Sequence, residues 1–369
     1  MKVPFVDLKA QYSTIKSEID TALQSVINEA AFIGGKYVAQ FEKSYAEKYG
    51  VKHCISVANG TDAIYVTLKA LGVGPGDEVI TVANSWISTS ETITQAGAQP
   101  VFVDIEPDYY TIDVSKVEEK VTAKTKAVIP VHLYGQPSEI DAIKQLCESN
   151  NLFLIEDCAQ AHFAEFKGKK VGTFGIAGTF SFHPGKNLGA YGDAGAIITN
   201  NDEVALRARM YANHGAVQKH HHQTEGINSR MDGLQAAILS VKLSYIDVWN
   251  EKRYKNALRY THLLKEVAGI ATPGIRENAR HIFHLYVIRT EKRNELQVYL
   301  KQKEIDTIIH YPTALPLLPA YTYLGHAPED FPIASKYQSQ ILSLPMYPEL
   351  SQQQIEYVVA SIQEFAART

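Results

Sequence analysis

The chain has 369 residues, a length that predicts two domains or one large and one small domain, and with 45% hydrophobic and 21% charged residues its composition is that of a folded globular protein. A formal net charge of −4 without a long basic run argues against a nucleic-acid-binding protein. Three scattered cysteines exclude a disulfide framework. The first residues contain no apolar run of the length that a signal peptide needs, so we expect no signal peptide, and without an apolar stretch of membrane-spanning length we expect no transmembrane segment. We therefore expect a cytoplasmic protein.

The first 50 residues predict two helices. Apolar residues between Ile15 and Ile27 recur near helical spacing, which predicts a helix over 13–30. A second helix is predicted over 38–48.

Seven short apolar runs then alternate with helical patterns up to residue 200. Continuous apolar runs of this length are typical of strands in a mostly parallel sheet that helices cover on both faces. The predicted strands are 54–57, 79–82, 101–105, 127–131, 152–155, 179–182 and 196–199. They predict one large α/β domain with a seven-stranded sheet.

The pattern changes after Gly226. One long helix is predicted over 232–265, followed by strands over 283–289 and 305–310, a proline-rich loop and a last helix over 351–367. We place a domain boundary near residue 250. This gives a large domain over 1–250 and a smaller C-terminal α/β domain over 251–369, and without a low-complexity linker the two should pack as one body.

Two polar groups follow predicted strands, and in α/β sheets ligands bind beyond the carboxyl ends of strands. In Asn59-Gly60-Thr61-Asp62, a capped helix start offers free N–H groups that can bind a phosphate, although an ordinary helix start has the same pattern. Asp157 ends a buried run, where a carboxylate needs a cationic or donor partner. A purely structural aspartate would also fit this position.

Lys186 lies in a glycine-bordered turn after the strand over 179–182. Burial among small and apolar residues would lower the pKa of this lysine and make it a usable amine nucleophile, whereas a surface lysine in a flexible loop is the alternative. The turn lacks the hydroxyl residue and the second glycine of a Walker A loop. Together, a phosphate-binding turn, a carboxylate and an amine match what the phosphate, ring nitrogen and aldehyde of pyridoxal 5′-phosphate (PLP) require.

Motifs that recur in one enzyme family are spread over nearly the whole chain. They are Pro4–Leu8, Ala58–Ala63, Leu71–Ile80, Glu156–Gln160, Ser181–Gly189, Asn228–Asp232, Gln235–Leu239 and His310–Pro312. With this set, the sequence resembles the sugar aminotransferases of the DegT/DnrJ/EryC1/StrS family. The resemblance implies the aspartate-aminotransferase fold, known as fold type I, and a PLP-dependent enzyme.

The same resemblance implies roles for individual residues. Lys186 would hold the cofactor covalently, and Asp157 would pair with its ring nitrogen. The family is dimeric with shared active sites, which implies a homodimer here. Cofactor contacts are implied for Gly60, Thr61 and Ser181 at the phosphate, for Asn228 of the neighbouring subunit at that phosphate, for Trp86 on the ring and for Gln160 near the 3′-oxygen.

The implied reaction transfers the amino group of L-glutamate to a keto-sugar linked to a nucleotide diphosphate, for amino-sugar or surface-polysaccharide biosynthesis. Residues 184–190 resemble members that aminate C3 of a nucleotide-linked 3-keto sugar, such as a 3-keto-6-deoxyhexose, and amination at C4 is the alternative. The sequence leaves the nucleotide open among dTDP, UDP and GDP. We expect substrate contacts from His183, Lys219, Arg230, the run His220–His222, His310 and Tyr311. The alternative for His183 is a space-filling role. The alternative for His310 and Tyr311 is packing within the small domain.

Three further readings remain open at this point. A metal site at His220–His222 is disfavoured because consecutive side chains point apart, so we expect no metal. A non-catalytic regulatory protein would be free to lose Lys186 and Asp157, which are intact.

A PLP enzyme acting on amino acids alone would need an arginine to bind the substrate carboxylate. Arg276, Arg280 and Arg289 are available, but they lie in no recognised motif.

Overall fold

The computed structural model describes residues 1–368. Its α-helices are α1 (Leu8–Asn28), α2 (Gly35–Tyr49), α3 (Gly60–Ala70), α4 (Ser88–Gln95), α5 (Val114–Glu119), α6 (Ile140–Ser149), α7 (Asp202–Tyr211), α8 (Gly233–Leu243), α9 (Ile246–Leu264), α10 (Arg293–Gln302), α11 (Pro332–Tyr337) and α12 (Gln352–Arg368). The predicted helices over 13–30, 38–48 and 351–367 are confirmed as α1, α2 and α12. Within the described range, no helix combines the length and the hydropathy needed to cross a membrane.

The strands are numbered in chain order. They are β1 (His53–Val57), β2 (Glu78–Val82), β3 (Gln99–Val103), β4 (Thr125–Ile129), β5 (Phe153–Asp157), β6 (Glu165–Phe166), β7 (Lys169–Lys170), β8 (Ala177–Ser181), β9 (Gly195–Thr199), β10 (Ala216–Gln218), β11 (His221–His222), β12 (Ala279–Arg280), β13 (Tyr286–Arg289) and β14 (Ile341–Leu344).

All seven predicted apolar runs before residue 200 belong to one sheet, which confirms the predicted architecture. The strand order is β1-β9-β8-β5-β4-β2-β3. Strand β9 pairs antiparallel with both of its neighbours, while every other pairing in the sheet is parallel. The sheet is therefore mostly parallel, and the carboxyl ends of six strands share one edge.

Helices cover the sheet on both faces, as its continuous apolar strands require. Consecutive residues of β4 pack in two different hydrophobic cores, one on each face of the sheet. Ile129 packs with α3 on one face, whereas Val128 packs with α6 on the other. Both side chains are fully buried. This double burial explains why the strand sequences are apolar throughout instead of alternating.

The single helix predicted over 232–265 is wrong, because the structure has α8 and α9 with a break at Ser244 and Tyr245. The N–H groups of these two residues donate to carbonyls three residues earlier, which tightens the turn and ends α8. Leu243 and Ile246 on either side of the break are both buried. The apolar periodicity therefore continues across the break, which is why the sequence pattern does not reveal it.

The strand predicted over 305–310 is also wrong. This segment makes only isolated bridges, from Ile305 to Val3 and from Ile308 to Ser343. The predicted strand over 283–289 is confirmed in its second half as β13, whose antiparallel partner is β14 near the C-terminus. The apolar residues of 305–310 thus reflect packing beside β14 and not a sheet strand.

The predicted domain boundary near residue 250 falls inside α9. Trp249, early in the helix, packs in a core of the N-terminal part, whereas Tyr260 and Leu264 pack in the C-terminal core. Val3 also belongs to the C-terminal core. The division into 1–250 and 251–369 remains a prediction, and the first residues of the chain pack with the C-terminal part.

Candidate active site

A cavity of about 540 Å³ opens at the carboxyl-terminal edge of the sheet. It is formed where turns after β1, β2, β5 and β8 meet segments of the C-terminal part. Of the residues singled out in the sequence, the cavity is lined by Gly60, Thr61, Trp86, Asp157, Gln160, Ser181, His183, Lys186, His310 and Tyr311.

The turn from β1 into α3 builds an anion site. The Asn59 side chain accepts from the N–H of Asp62 (2.8 Å), and the Asn59 carbonyl accepts from the N–H of Ala63 (3.1 Å). The N–H groups of Gly60 and Thr61, in the first turn, have no carbonyl partner within the helix. A Cβ atom on Gly60 would lie 2.5 Å from the Cβ of Ser181, so only glycine leaves this cradle open. The turn therefore fits a phosphate group.

Asp157 presents a buried carboxylate at the end of β5. Its Oδ2 accepts from the hydroxyl of Thr89 (2.8 Å), and its Oδ1 accepts from the N–H of Ala159 (3.1 Å). Burial raises the pKa of Asp157, while these hydrogen bonds and the charge of Lys186 oppose that effect. Each oxygen keeps acceptor capacity, so the carboxylate can pair with a protonated ring nitrogen.

Lys186 projects from a turn that other residues hold in place. Its N–H donates to the carbonyl of His183 (2.8 Å), and the side-chain amide of the next residue, Asn187, donates to Asn250 (2.8 Å) and to the carbonyl of Ile282 (3.2 Å). Burial lowers the pKa of Lys186 to about 8, although the charge of Asp157 opposes the shift. The amine is therefore easier to deprotonate than that of a solvated lysine, as a nucleophile requires.

Trp86 and Gln160 occupy the cavity in different ways. The Trp86 side chain is 59% exposed, and its ring centroid lies 5.8 Å from that of Tyr311. Gln160 is buried, accepts from the N–H of Tyr134 (2.7 Å) and donates to the hydroxyl of Tyr311 (3.0 Å). Trp86 thus offers a free aromatic face, whereas Gln160 is held in one orientation.

The predicted contacts Asn228, Lys219, Arg230 and His220–His222 do not line this cavity. Asn228 is exposed and bridges to Asn213, and Lys219 lies in the exposed hairpin β10–β11 with His220–His222. Arg230 is exposed and borders a separate cavity of about 310 Å³. A single chain therefore does not bring these residues to Lys186. The contact of Asn228 with a neighbouring subunit's cofactor, and the substrate contacts of Lys219, Arg230 and His220–His222, remain predictions.

One group in the described range has metal-ligand chemistry: His132, Glu156 and Cys158, all buried. Glu156 accepts four hydrogen bonds, one from His132 (3.1 Å) and three from backbone N–H groups at residues 172, 174 and 175 (2.7–2.8 Å). A carboxylate with about four acceptor sites is saturated by these donors. The group is therefore a hydrogen-bonded structural cluster.

The arginines considered for a substrate carboxylate are engaged away from the cavity. Arg276 pairs with Glu106 (2.6 Å) and Glu139 (2.9 Å), and the guanidinium of Arg289 lies over the ring of Tyr337. None of Arg276, Arg280 and Arg289 lines the cavity. These contacts argue against the reading of an enzyme that acts on amino acids alone.

Several lining residues were not identified from the sequence. Ser85, Ser88 and Thr89 follow β2, so the rule that ligands meet strand ends would have found them. Phe5, His284 and Met346 also line the cavity, but they come from distant parts of the chain and follow no strand of the seven-stranded sheet. Burial and the nearby charge of Lys186 hold the pKa of His284 well below its usual value, so this ring is neutral.

Comparisons with known proteins agree with this geometry. A sequence model of the DegT/DnrJ/EryC1/StrS aminotransferase family matches residues 13–363. A protein of Geobacillus stearothermophilus, named a pleiotropic regulatory protein, is 48% identical over 367 residues, covering 99% of each chain. The dTDP-3-amino-3,4,6-trideoxy-alpha-D-glucose transaminase of Streptomyces venezuelae is 40% identical over 369 residues, which is 100% of this chain and 97% of that protein. The crystal structure of DesV from S. venezuelae in complex with a ketimine intermediate matches with a TM-score of 0.98 at 39% identity, covering 100% of this chain and 99% of that one.

Proposed function

The chain belongs to the DegT/DnrJ/EryC1/StrS aminotransferase family, and we propose that it transfers the amino group of L-glutamate to C3 of a dTDP-linked keto-sugar. It has the fold of PLP-dependent aminotransferases and is itself a PLP-dependent sugar aminotransferase. One observation carries the proposal: the amine of Lys186, the carboxylate of Asp157 and the anion-binding turn at Gly60 line one cavity.

The residues of this cavity fit PLP at three points. The N–H groups of Gly60 and Thr61, with the hydroxyl of Ser181, would bind the phosphate. Asp157 would hold the ring nitrogen, and Lys186 would bind the aldehyde. Bound PLP supplies an electron sink for negative charge on the carbon that carries the amino group.

Once the amino group of glutamate had displaced Lys186 from the aldehyde, the freed amine would move the protons. With its pKa lowered to about 8, the amine exchanges a proton near neutral pH more readily than an ordinary lysine. It would take a proton from the carbon of glutamate that loses nitrogen, and return one to the sugar carbon that gains it. The carboxylate of Asp157, fixed by two donors, would keep the ring nitrogen protonated throughout.

Two features support C3 and a deoxygenated sugar. Residues 184–190 resemble members that aminate C3, and the Streptomyces relative is named for a 3-amino-trideoxy sugar. The lining of the cavity also includes Phe5, Leu285 and Met346, whose apolar side chains offer no hydrogen bond to a hydroxyl. We therefore favour a 3-keto-6-deoxyhexose as the acceptor, with His183, His310 and Tyr311 as its polar contacts.

A homodimer would complete the site. Asn228, Lys219 and Arg230 are exposed and lie outside this chain's cavity, as residues that serve a neighbouring subunit would. In that arrangement Asn228 would reach the phosphate of the neighbour's PLP, and the two cations would meet the diphosphate of the sugar nucleotide. We place the reaction in the cytoplasm, in the synthesis of amino sugars for surface polysaccharides.

A regiochemical assay tests the proposal. The PLP-loaded protein is incubated with L-glutamate and either a dTDP-3-keto- or a dTDP-4-keto-6-deoxyhexose, 2-oxoglutarate is measured, and NMR locates the nitrogen on the sugar ring. We expect turnover with the 3-keto sugar and a 3-amino product. A 4-amino product would overturn the assignment to C3, and PLP binding without turnover on any keto-sugar would favour a regulatory role.

A further inference from the structure

Two hydroxyl groups form a short relay behind Asp157. The hydroxyl of Thr89 donates to Oδ2 of Asp157 at 2.8 Å, and the hydroxyl of Ser85 lies 3.0 Å from that of Thr89. All three side chains are at most 4% exposed, although each lines the cavity wall. Beyond the hydrogen bond from Thr89 that helps to fix Asp157, no step described above uses these two hydroxyls.

The relay has a fixed direction when Asp157 is ionised. A threonine hydroxyl carries one hydrogen, and here the acceptor for it is the Asp157 carboxylate. Ser85 must then donate its own hydrogen to the oxygen of Thr89. Such a chain polarises each bond in turn, so Thr89 becomes a stronger donor to Asp157 than an isolated hydroxyl.

The segment that carries the relay also contacts the phosphate side of the cavity. Thr89 lies in the first turn of α4, and the preceding Ser88 is hydrogen-bonded to Thr61 at 2.7 Å. Adjacent residues of one turn therefore hold both Asp157 and the anion-binding turn. This ties the carboxylate to a fixed position relative to the place where the phosphate would bind.

We propose that Thr89 is a positioning residue, whose hydroxyl, supported by Ser85, holds Oδ2 of Asp157 as an ionised carboxylate facing the ring nitrogen of PLP. This inference rests on the proposed role of Asp157. The two hydroxyls would then do more than fill space, because they would keep Asp157 ionised. A buried carboxylate that loses a hydrogen-bond donor is stabilised less, so the neutral carboxylic acid becomes more favourable. A neutral Asp157 would hold the protonated ring nitrogen less well.

An isosteric pair of variants tests it. Thr89→Val keeps the shape and removes the donor, whereas Thr89→Ser keeps the donor. The matched control is Thr92→Val, a buried threonine one turn further along α4 whose hydroxyl bonds only to backbone carbonyls of its own helix. We expect Thr89→Val to weaken PLP binding to the cofactor-free protein and to lower kcat by about 10- to 100-fold, as loss of a hydrogen bond to a charged group implies. Thr89→Ser and Thr92→Val should stay within a few-fold of the wild type.

A double-mutant cycle separates positioning from general damage. The cycle combines Thr89→Val with Asp157→Asn and measures the PLP dissociation constant by visible absorption, together with kcat for the amino donor that the wild-type protein accepts. If Thr89 acts through Asp157, its loss should have little further effect once Asp157 is replaced. Additive losses, or a Thr89→Val protein that binds PLP and turns over like the wild type, would overturn the inference. If Asp157→Asn alone changes neither quantity, the proposed role of Asp157 fails, and this inference fails with it.

Discussion

One side of the cavity is formed by turns that directly follow sheet strands, and the other by segments around the antiparallel pair β13–β14. We name the first side the strand-end set, which comprises Thr61, Asp157, Ser181 and Lys186. We name the second side the C-terminal wall, which comprises His284, Leu285, His310, Tyr311 and Met346. The two sides differ in how they are held in place.

In the strand-end set, backbone hydrogen bonds fix Asp157, whereas in the C-terminal wall side-chain hydrogen bonds hold His310 and Tyr311. At Asp157, the backbone N–H donates to Pro130 and the carbonyl accepts from His132, both at 3.0 Å. In the wall, His310 is held by the hydroxyl of Ser343 (2.8 Å), and Tyr311 by Gln160. Positions held by the backbone keep a constant geometry, as binding of one cofactor requires. Side chains of the C-terminal wall can be substituted to fit different sugars without moving that backbone. Variants of the first side should alter PLP binding, and variants of the second should alter only the use of the sugar.

The largest effect is expected at Lys186. Lys186→Ala removes the amine that binds PLP and moves protons, so turnover should fall on the order of 10⁴-fold or more. The measurement is release of 2-oxoglutarate from glutamate. Lys301→Ala, at an exposed position, is the control and should behave as the wild type. Substantial activity of Lys186→Ala would show that the strand-end set does not carry the chemistry.

A smaller loss is expected for Asp157→Asn. An amide is nearly isosteric but carries no charge to hold the ring nitrogen protonated, so kcat should fall by about 10²- to 10³-fold. Steady-state kinetics at saturating PLP measure this loss, with Asp306→Asn at an exposed position as the control. Equal kcat values for the two variants would contradict the assignment.

The pH dependence of PLP capture should report the burial of Lys186. Only the deprotonated amine reacts, and its pKa is lowered from 10.5 to about 8. The capture rate of the cofactor-free protein should therefore rise with pH through a midpoint about 8, where an ordinary lysine would still be almost wholly protonated. Asp157→Asn should lower that midpoint further, because the charge of Asp157 opposes the shift. A midpoint near 10.5 would mean that the amine is solvated.

Gly60→Ala tests the cradle for the phosphate. The added Cβ would lie 2.5 Å from that of Ser181, so the turn must move, and the PLP dissociation constant should rise on the order of tenfold. At saturating PLP, kcat should change little. Gly74→Ala is the matched control, since its Cβ would meet nothing closer than 3.8 Å. Unchanged PLP affinity in Gly60→Ala would place the phosphate elsewhere.

The smallest effect is expected in the C-terminal wall. Tyr311→Phe removes the hydroxyl that accepts from Gln160 and faces the sugar side of the cavity. We expect KM for the keto-sugar to rise about fivefold, the equivalent of one hydrogen bond, with the PLP dissociation constant unchanged. A loss of PLP affinity as large as that of Gly60→Ala would erase the distinction between the two sides.

The sequence predicted Thr61, Asp157 and Lys186 because each follows an apolar run that is recognisable by itself. Ser181 lies inside such a run and was identified through the family resemblance. Asp157 and Lys186 could be singled out without knowing which strands are neighbours, since all parallel strands end at the same edge. Thr89 follows β2 in the same way but was missed, because a hydroxyl residue at a helix start is common.

The C-terminal wall was harder to predict, for a physical reason. His284 and Met346 reach the cavity only because β13 pairs with β14 across more than 50 residues of chain, and that pairing leaves no local pattern. His310 and Tyr311 were found through the family resemblance, while the strand predicted around them does not form. The break between α8 and α9 was hidden for a similar reason, as buried residues continue through it.

Borohydride reduction of the PLP-loaded protein, followed by digestion and mass spectrometry, tests the central claim most directly. Reduction should abolish the visible absorption band and leave the cofactor on the peptide that contains Lys186. Lys242 provides an internal comparison, because it is also buried and its pKa is also lowered to about 8, yet it lies outside the cavity and donates to the carbonyl of Gly189. Cofactor on Lys186 alone is the result we predict, and cofactor on Lys242, on another lysine or on none would contradict the account.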